Sequence, residues 1–189
     1  MTNPRIAVIV GSNRRDSINR KLAVALSKLA PRFDIDFLRI DDLPMFNQDI
    51  EDPMPAAVAR LKNEIARADG LILVTPEHNR SIPAVLKNAV DWAGRPYAQN
   101  SWNGKPVFIT GTSPGPIGTA LAQQHLRVIL SILGALVLGG EAYITFKPGL
   151  IDEQGQISDD STRKFLQGFI DRFAALVTRA APEAERSAA

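Results

Sequence analysis

The sequence Ile6-Ala7-Val8-Ile9-Val10-Gly11-Ser12 is an unbroken apolar run that stops at a glycine and a serine. A run without polar residues is typical of a strand that is buried on both faces, as in a parallel sheet. One helical stripe follows this stretch, made of Ile18, Leu22, Ala25, Leu26 and Leu29. The stretch therefore predicts a buried strand, a short loop and an amphipathic helix.

The same alternation continues along the chain. Further strands are predicted at 33–40, 71–74, 107–110 and 135–138, the last of which can extend to 144, and further helices at 58–68, 83–93, 117–133 and 165–177. Five strands alternating with five helices predict an α/β fold with a doubly wound, five-stranded parallel sheet and helices on both faces. No Ser/Gly-rich linker divides the chain, so we expect one domain over 1–180 and a flexible tail over 181–189.

Composition narrows the class of protein. The 189 residues suit one domain, and 22 basic against 20 acidic residues give a net charge of +2, too slight to indicate a nucleic-acid partner. The chain has no cysteine and two histidines, so we expect neither a disulfide nor a metal site. No segment approaches the roughly 20 apolar residues of a membrane span. The start of the sequence lacks a signal-peptide layout, which predicts a cytoplasmic protein.

The expected ligand site lies at one edge of the sheet. In doubly wound sheets, ligands bind beyond the carboxyl ends of the strands, where the strand order reverses. Three segments that are rich in small or hydroxyl residues follow predicted strands at that edge, at 11–19, 75–81 and 111–118.

The first segment reads GSNRRDSIN, and it contains neither GxxxxGK[ST] nor GxGxxG. Its hydroxyl groups, its two arginines and the helix N-terminus that it enters suit a phosphate dianion. Ser12 or Ser17 can equally serve only as the helix cap, with both arginines in solvent. Both interpretations stay open at the level of the local sequence.

The second segment continues into Pro83 and reads TPEHNRSIP over 75–83. Two prolines stiffen it, and Asn79 and the peptide groups offer donors and acceptors to a flat heterocycle. His78 has no partner that the sequence identifies, so it is interpreted as an ordinary loop histidine rather than a base. Glu77 is interpreted as a solvated or capping carboxylate.

The third segment reads GTSPGPIG, and its glycines allow close approach to a ligand. Its first five residues also match G-x-S-x-G, the nucleophile elbow of serine hydrolases, with Ser113 as the nucleophile. Only His125 lies downstream, close behind Ser113, and the usual order of serine, acid and distant histidine is absent. A hydrolase is therefore the less favoured interpretation.

Taken together, three blocks resemble the NADPH-dependent FMN reductase family, in particular its bacterial chromate, quinone and ferric reductase branch. They are GSNRRDSINRKLA at 11–23, TPEHNRSIPAVLKNAVDWAGRP at 75–96 and GTSPGPIGTALAQQHLR at 111–127. The resemblance is co-linear over 6–144, and its most specific part is T-P-E-[aromatic]-N-x-S-x-P-x-x-L-K-N-A-x-D-W. The chain departs from the family at His78, where tyrosine is usual. It also has Leu121 and Gln124 where chromate-reducing relatives tend to carry Arg and Tyr.

The resemblance implies a flavodoxin-like fold that binds FMN at the switch point and takes electrons from NADPH or NADH. The implied phosphate contacts are Ser12, Arg14, Ser17 and Asn19. The implied ring contacts are Pro76, Glu77, His78 and Asn79, with Ser113 and Gly115 closing one edge. No catalytic residue is predicted, because the flavin itself carries the chemistry.

The implied activity is ping-pong hydride transfer to quinones or to other small acceptors such as chromate, ferric chelates and azo dyes. A flavodoxin-type electron carrier without catalysis is the main alternative, and an interaction protein that has lost its flavin is a second. Flavodoxins are usually strongly acidic and lack the Leu-Lys-Asn-Ala block at 86–89, so the net charge of +2 favours the reductase.

We also expect a homodimer with the flavin near the interface, with a tetramer as the alternative assembly. Trp92, Pro96, Tyr97 and Trp102 crowd around the loop at 94–104, and aromatic residues are enriched at interfaces. The competing interpretation is that these residues cover the flavin or the edge of the core.

Overall fold

A computed structural model describes residues 3–181, and the rest of the predicted tail lies outside the described residues. The strands are β1 (Arg5–Val10), β2 (Asp34–Leu38), β3 (Gly70–Val74), β4 (Pro106–Ser113), β5 (Leu136–Val137) and β6 (Tyr143–Thr145). The helices are α1 (Ile18–Leu29), α2 (Ala56–Arg67), α3 (Ala84–Ala93), α4 (Ala120–Ile132) and α5 (Asp160–Ala180). Two short 3-10 helices cover Gln48–Ile50 and Tyr97–Gln99.

The strands form one parallel sheet in the order β2-β1-β3-β4-β5. This is the flavodoxin-like order, so the predicted fold class is confirmed. The fifth position is divided between two short strands, because β5 pairs with β4 at Val107 and β6 pairs with it at Gly111–Ser113. The predicted continuous run from 135 towards 144 is therefore interrupted between these strands.

Helices cover both faces of the sheet. On β1, Ile6, Val8 and Val10 belong to the cluster that packs with α1 and α5, whereas Ala7 and Ile9 belong to the cluster with α2, α3 and α4. Successive side chains of a strand point to opposite faces, so a strand covered on both sides must be apolar throughout. This explains the unbroken apolar run at 6–10.

Two predicted boundaries at the site edge were wrong. Strand β4 continues through Gly111, Thr112 and Ser113, which were predicted to lie in a loop, because β6 supplies a pairing partner for them. Helix α4 begins at Ala120 rather than at 117. The turn before it needs Gly118, whose φ of +59° is unfavourable for other residues.

The two tryptophans lie in the core of the single chain, so they do not support the interface argument that the sequence suggested. Trp92 and Trp102 are fully buried. The indole of Trp92 donates to the carbonyl of Pro44 at 2.8 Å, and that of Trp102 donates to the carbonyl of Val90 at 3.0 Å. Tyr97 remains exposed, at 79%.

Among residues 3–181, no helix combines the length and the apolarity that crossing a bilayer requires.

Candidate active site

The sheet register brings the three predicted segments side by side. Val74 of β3 is in register with Val10 of β1 and with Thr110 of β4. The N–H of Gly11 donates to the carbonyl of Val74 at 2.9 Å, and the N–H of Thr75 donates to that of Thr110 at 3.0 Å. The segments therefore leave the sheet together, next to the point between β1 and β3 where the strand order reverses.

The first segment forms the amino end of α1. Ser17 is the N-cap and accepts the N–H of Arg20 at 3.2 Å, while Ser12 accepts the N–H of Arg14 at 3.4 Å. The capping interpretation is therefore correct for Ser17, whereas Ser12 closes a turn within the loop, and an accepting hydroxyl still has a hydrogen to donate. Arg14 and Arg15 are exposed, and the first turn of α1 contains no acidic residue.

The amino end of α1 has the donors that a phosphate needs. The first backbone N–H groups of a helix have no hydrogen-bond partner within the helix. The cap residue Ser17 accepts the N–H of Arg20, so the N–H groups of Ile18 and Asn19 remain available to a ligand. These N–H groups, the serine hydroxyls and two exposed guanidinium groups fit the phosphate of FMN.

The side chain of Asn19 binds the backbone of β4. The side chain is buried, its amide nitrogen donates to the carbonyl of Thr112, and its amide oxygen accepts the N–H of Thr112, both at 2.9 Å. The amide is therefore committed to β4, and only the backbone N–H of Asn19 is left for a phosphate. Sequence reasoning missed Thr112 because nothing in the sequence indicates a pairing across 93 residues.

The second segment contains a tight turn at 78–81. The backbone groups of His78 and Ser81 exchange two hydrogen bonds of 2.9 Å, and Asn79 and Arg80 between them have φ values of 49° and 65°. Positive φ at both central positions is the signature of a type I′ turn, which asparagine tolerates better than arginine does. The side chains of His78 and Asn79 are exposed at its tip, and Pro76 beside it is half-buried.

Two side-chain contacts join this segment to α4. The carboxylate of Glu77 accepts the N–H groups of Leu121 and Ala122 at 3.0 and 3.3 Å, so the capping interpretation of Glu77 is correct in kind but involves a helix far along the chain. The hydroxyl of Ser81 lies 3.0 Å from Nδ1 of His125. Ser81 and His125 had not been identified as paired residues from the sequence, although both lie within the family blocks.

The third segment is held by its own backbone. The hydroxyl of Ser113 donates to the carbonyl of Gly118 at 2.6 Å, whereas His125 contacts Ser81. Ser113 therefore lacks the histidine contact of a hydrolase nucleophile. A side chain on Gly115 would meet only the hydroxyl of Ser113, at 3.5 Å, so the outer side of this segment is open to a ligand.

The close packing of the second and third segments depends on one glycine. A Cβ atom on Gly111 would lie 1.9 Å from the carbonyl oxygen of Thr75, which no side chain can tolerate. The second and third segments therefore touch at Gly111 and Thr75. Within residues 3–181, no group of three or more His, Asp or Glu side chains is placed to hold a metal ion.

The profile of the NADPH-dependent FMN reductase family matches residues 4–148. The chain is 51% identical over 175 residues to a 2-hydroxy-1,4-benzoquinone reductase of Burkholderia sp, covering 92% of this chain and 96% of that one. It is 46% identical to a quinone reductase of Pseudomonas putida, over 91% of this chain and 94% of the relative. The solved structure of FerB, a flavoenzyme NAD(P)H:(acceptor) oxidoreductase from Paracoccus denitrificans, superposes with a TM-score of 0.90 at 46% identity, covering 94% and 98% of the two chains.

The chain belongs to the NADPH-dependent FMN reductase family. It is an oxidoreductase of flavodoxin-like fold, with FMN as cofactor and NAD(P)H as electron donor.

Proposed function

We propose that this enzyme reduces quinones to hydroquinones. The balanced reaction joins one quinone, one NAD(P)H and one proton, and it releases the hydroquinone and NAD(P)+. The observation that carries the proposal is the near full-length similarity to proteins named quinone reductases, at 51% and 46% identity. Chromate, ferric chelates and azo dyes are further acceptors that we propose from the family resemblance.

We place the FMN phosphate at the amino end of α1. The contacts we propose are the hydroxyls of Ser12 and Ser17, the guanidinium of Arg14 and the N–H groups of Ile18 and Asn19. A dianion there meets the positive end of a helix dipole and a cation at once. The absence of acidic residues from the first turn supports this placement.

We place the flavin ring against Pro76, Glu77, His78 and Asn79, with Ser113 and Gly115 along one edge. For Glu77 the proposed contact is its backbone, because its carboxylate is occupied elsewhere. FMN bound there would supply hydride acceptance from the nicotinamide and two-electron transfer to the acceptor. The loops would bind and orient it, and we propose that donor and acceptor use one place in turn, which gives ping-pong kinetics.

We propose a homodimer formed through α4 instead of through the tryptophan loop. Leu121, Val128 and Ile132 recur on one side of α4 and are 37%, 71% and 85% exposed. The polar residues Gln124, His125 and Ser131 lie along the same side of the helix. A helix stripe of this kind is self-complementary about a two-fold axis. Because Leu121 adjoins Glu77, the dimer would place the flavin near the interface.

We also propose a cytoplasmic location, since NAD(P)H is a cytoplasmic metabolite; cell fractionation tests it.

An acceptor panel tests the proposed activity. The FMN-loaded protein is assayed under steady state with a benzoquinone, a ferric chelate, chromate and an azo dye, each with NADH and with NADPH. We expect the highest kcat/KM with the quinone. Failure to reduce the quinone with either nicotinamide, while FMN is demonstrably bound, would overturn the proposal.

A further inference from the structure

Helix α4 receives its N-terminal cap from another part of the chain. Thr119 precedes the helix and makes no capping hydrogen bond with its side chain, because its hydroxyl accepts from the amide of Gln123 at 2.9 Å. The carboxylate of Glu77, 44 residues earlier, accepts the N–H of Leu121 instead. One oxygen of Glu77 thus ties the segment after β3 to the amino end of α4.

The other oxygen of Glu77 accepts from the guanidinium of Arg80 at 3.1 Å. Arg80 is held at a φ of 65°, which costs conformational energy for a residue with a side chain. The Glu77 side chain is only 8% exposed, so its charge is compensated by the helix dipole and the guanidinium rather than by water. A single carboxylate therefore holds both the turn at 78–81 and the start of α4.

We propose that Glu77 is a positioning residue whose carboxylate fixes the ring-binding segment 75–83 against α4, so that FMN meets a preformed cleft. The inference rests on the FMN site proposed above. Without this contact, FMN binding would have to order the segment, and the ordering lowers affinity. The Ser81–His125 contact joins the same two elements but is exposed, so solvent competes for it.

Two substitutions weaken the Glu77 contacts in different ways. Glu77→Gln keeps the size of the side chain but leaves a single acceptor oxygen, which cannot serve α4 and Arg80 at the same time. Glu77→Asp keeps the charge and shortens the side chain by one methylene, so the carboxylate no longer reaches both partners. Asp159→Asn is the matched control, because the carboxylate of Asp159 accepts the N–H of Thr162 at the amino end of α5.

Each protein is measured in three ways: the dissociation constant for FMN by flavin fluorescence, amide hydrogen exchange at Leu121 and Ala122, and the unfolding temperature without FMN. We expect both Glu77 variants to raise the dissociation constant about tenfold, equivalent to one lost hydrogen bond, and to accelerate exchange at both amides. Asp159→Asn should leave the dissociation constant and both exchange rates at the parent values.

An unchanged dissociation constant in both Glu77 variants would show that Glu77 only caps a helix. A raised constant with unchanged exchange would show that it acts on the flavin directly, and either result overturns the proposal. Should Glu77→Gln fail to fold, Glu77→Asp decides alone. If the parent protein binds no FMN, the proposed FMN site is wrong. If the parent and both Glu77 variants bind FMN equally well, the FMN site stands and only the positioning role of Glu77 is wrong.

Discussion

Asn19 and Thr112 are joined by two hydrogen bonds of 2.9 Å, one in each direction, although 93 residues separate them. At the carboxyl end of β4, the side-chain amide of Asn19 makes the two hydrogen bonds with the backbone of Thr112 that a neighbouring strand would otherwise make. It thereby fixes the amino end of α1, where we place the phosphate, relative to the segment beside the flavin ring. The two ends of the proposed FMN site are thus held at a set separation by the protein itself.

We predict that Asn19→Ala destabilises the apoprotein by about 2–4 kcal/mol, because it leaves a buried N–H and a buried carbonyl of Thr112 without partners. Denaturant unfolding of the FMN-free protein measures this. Asn63→Ala, an exposed change within α2, should shift stability by only a few tenths of a kcal/mol, within helix-propensity effects. Equal stability of the two variants would show that solvent satisfies Thr112 once the amide is gone.

We predict that Arg14→Ala weakens FMN binding by about 10- to 150-fold, the equivalent of about 1.5–3 kcal/mol for one charge-assisted hydrogen bond. Flavin should then be lost during purification, and fluorescence titration of the apoprotein gives the dissociation constant. Arg163→Ala, an exposed arginine of α5, is the control and should bind FMN as the parent does. An unchanged dissociation constant in Arg14→Ala would show that Arg15 or backbone groups, rather than Arg14, bind the phosphate.

We predict parallel lines in double-reciprocal plots of rate against NAD(P)H at several quinone concentrations. One open face for both substrates requires the oxidised nicotinamide to leave before the quinone enters. Anaerobic NADPH or NADH alone should also decolourise the bound flavin. Converging lines together with a trapped ternary complex would mean separate donor and acceptor sites.

We predict a dimer at micromolar concentration that Val128→Glu converts to monomer, because an isologous contact would bury the new carboxylate against its own copy. Light scattering coupled to size exclusion gives the mass. Tyr97→Glu, at the exposed residue of the loop once expected to form the interface, is the control and should stay dimeric. A monomeric Tyr97→Glu variant together with a dimeric Val128→Glu variant would show that the interface is formed by the loop at 94–104.

We predict that the cap of α5 weakens in acid. Hydrogen bonds from Thr162, through its side chain and backbone, and from Ser161 lower the pKa of Asp159 from 3.8 to about 2. A carboxyl whose pKa is lower in the folded state stabilises the fold above pH 3.8, and this contribution is lost as the pH falls towards 2.

The difference in unfolding temperature between the parent and Asp159→Ala should therefore shrink across that range. Asp159→Asn keeps a capping side chain but does not titrate, so its difference from Asp159→Ala should stay constant with pH. If the unfolding temperatures of the parent and of Asp159→Asn change in parallel with pH, the protonated carboxyl of Asp159 caps α5 as well as the ionised one does.

Sequence alone was sufficient for the alternation of strands and helices, and it indicated the edge of the sheet at which we propose the site. A strand covered on both faces must be apolar throughout, and a helix covered on one face must be apolar at helical spacing, so both features are visible within a few residues. The segments that begin at Gly11 and Thr75 were located in the same way, as the places where apolar runs stop. The family blocks then indicated FMN.

The contacts of the polar side chains could be learned only from the three-dimensional arrangement of the strands and helices. Asn19 and Glu77 were predicted to touch FMN, but their side chains bind Thr112 and the start of α4, and Trp92 lies in the core instead of at an interface. The division of the last strand position likewise depends on where β4 finds partners. A hydrogen-bond partner is set by strand order and register, which bring distant residues together, and local composition carries no record of that pairing.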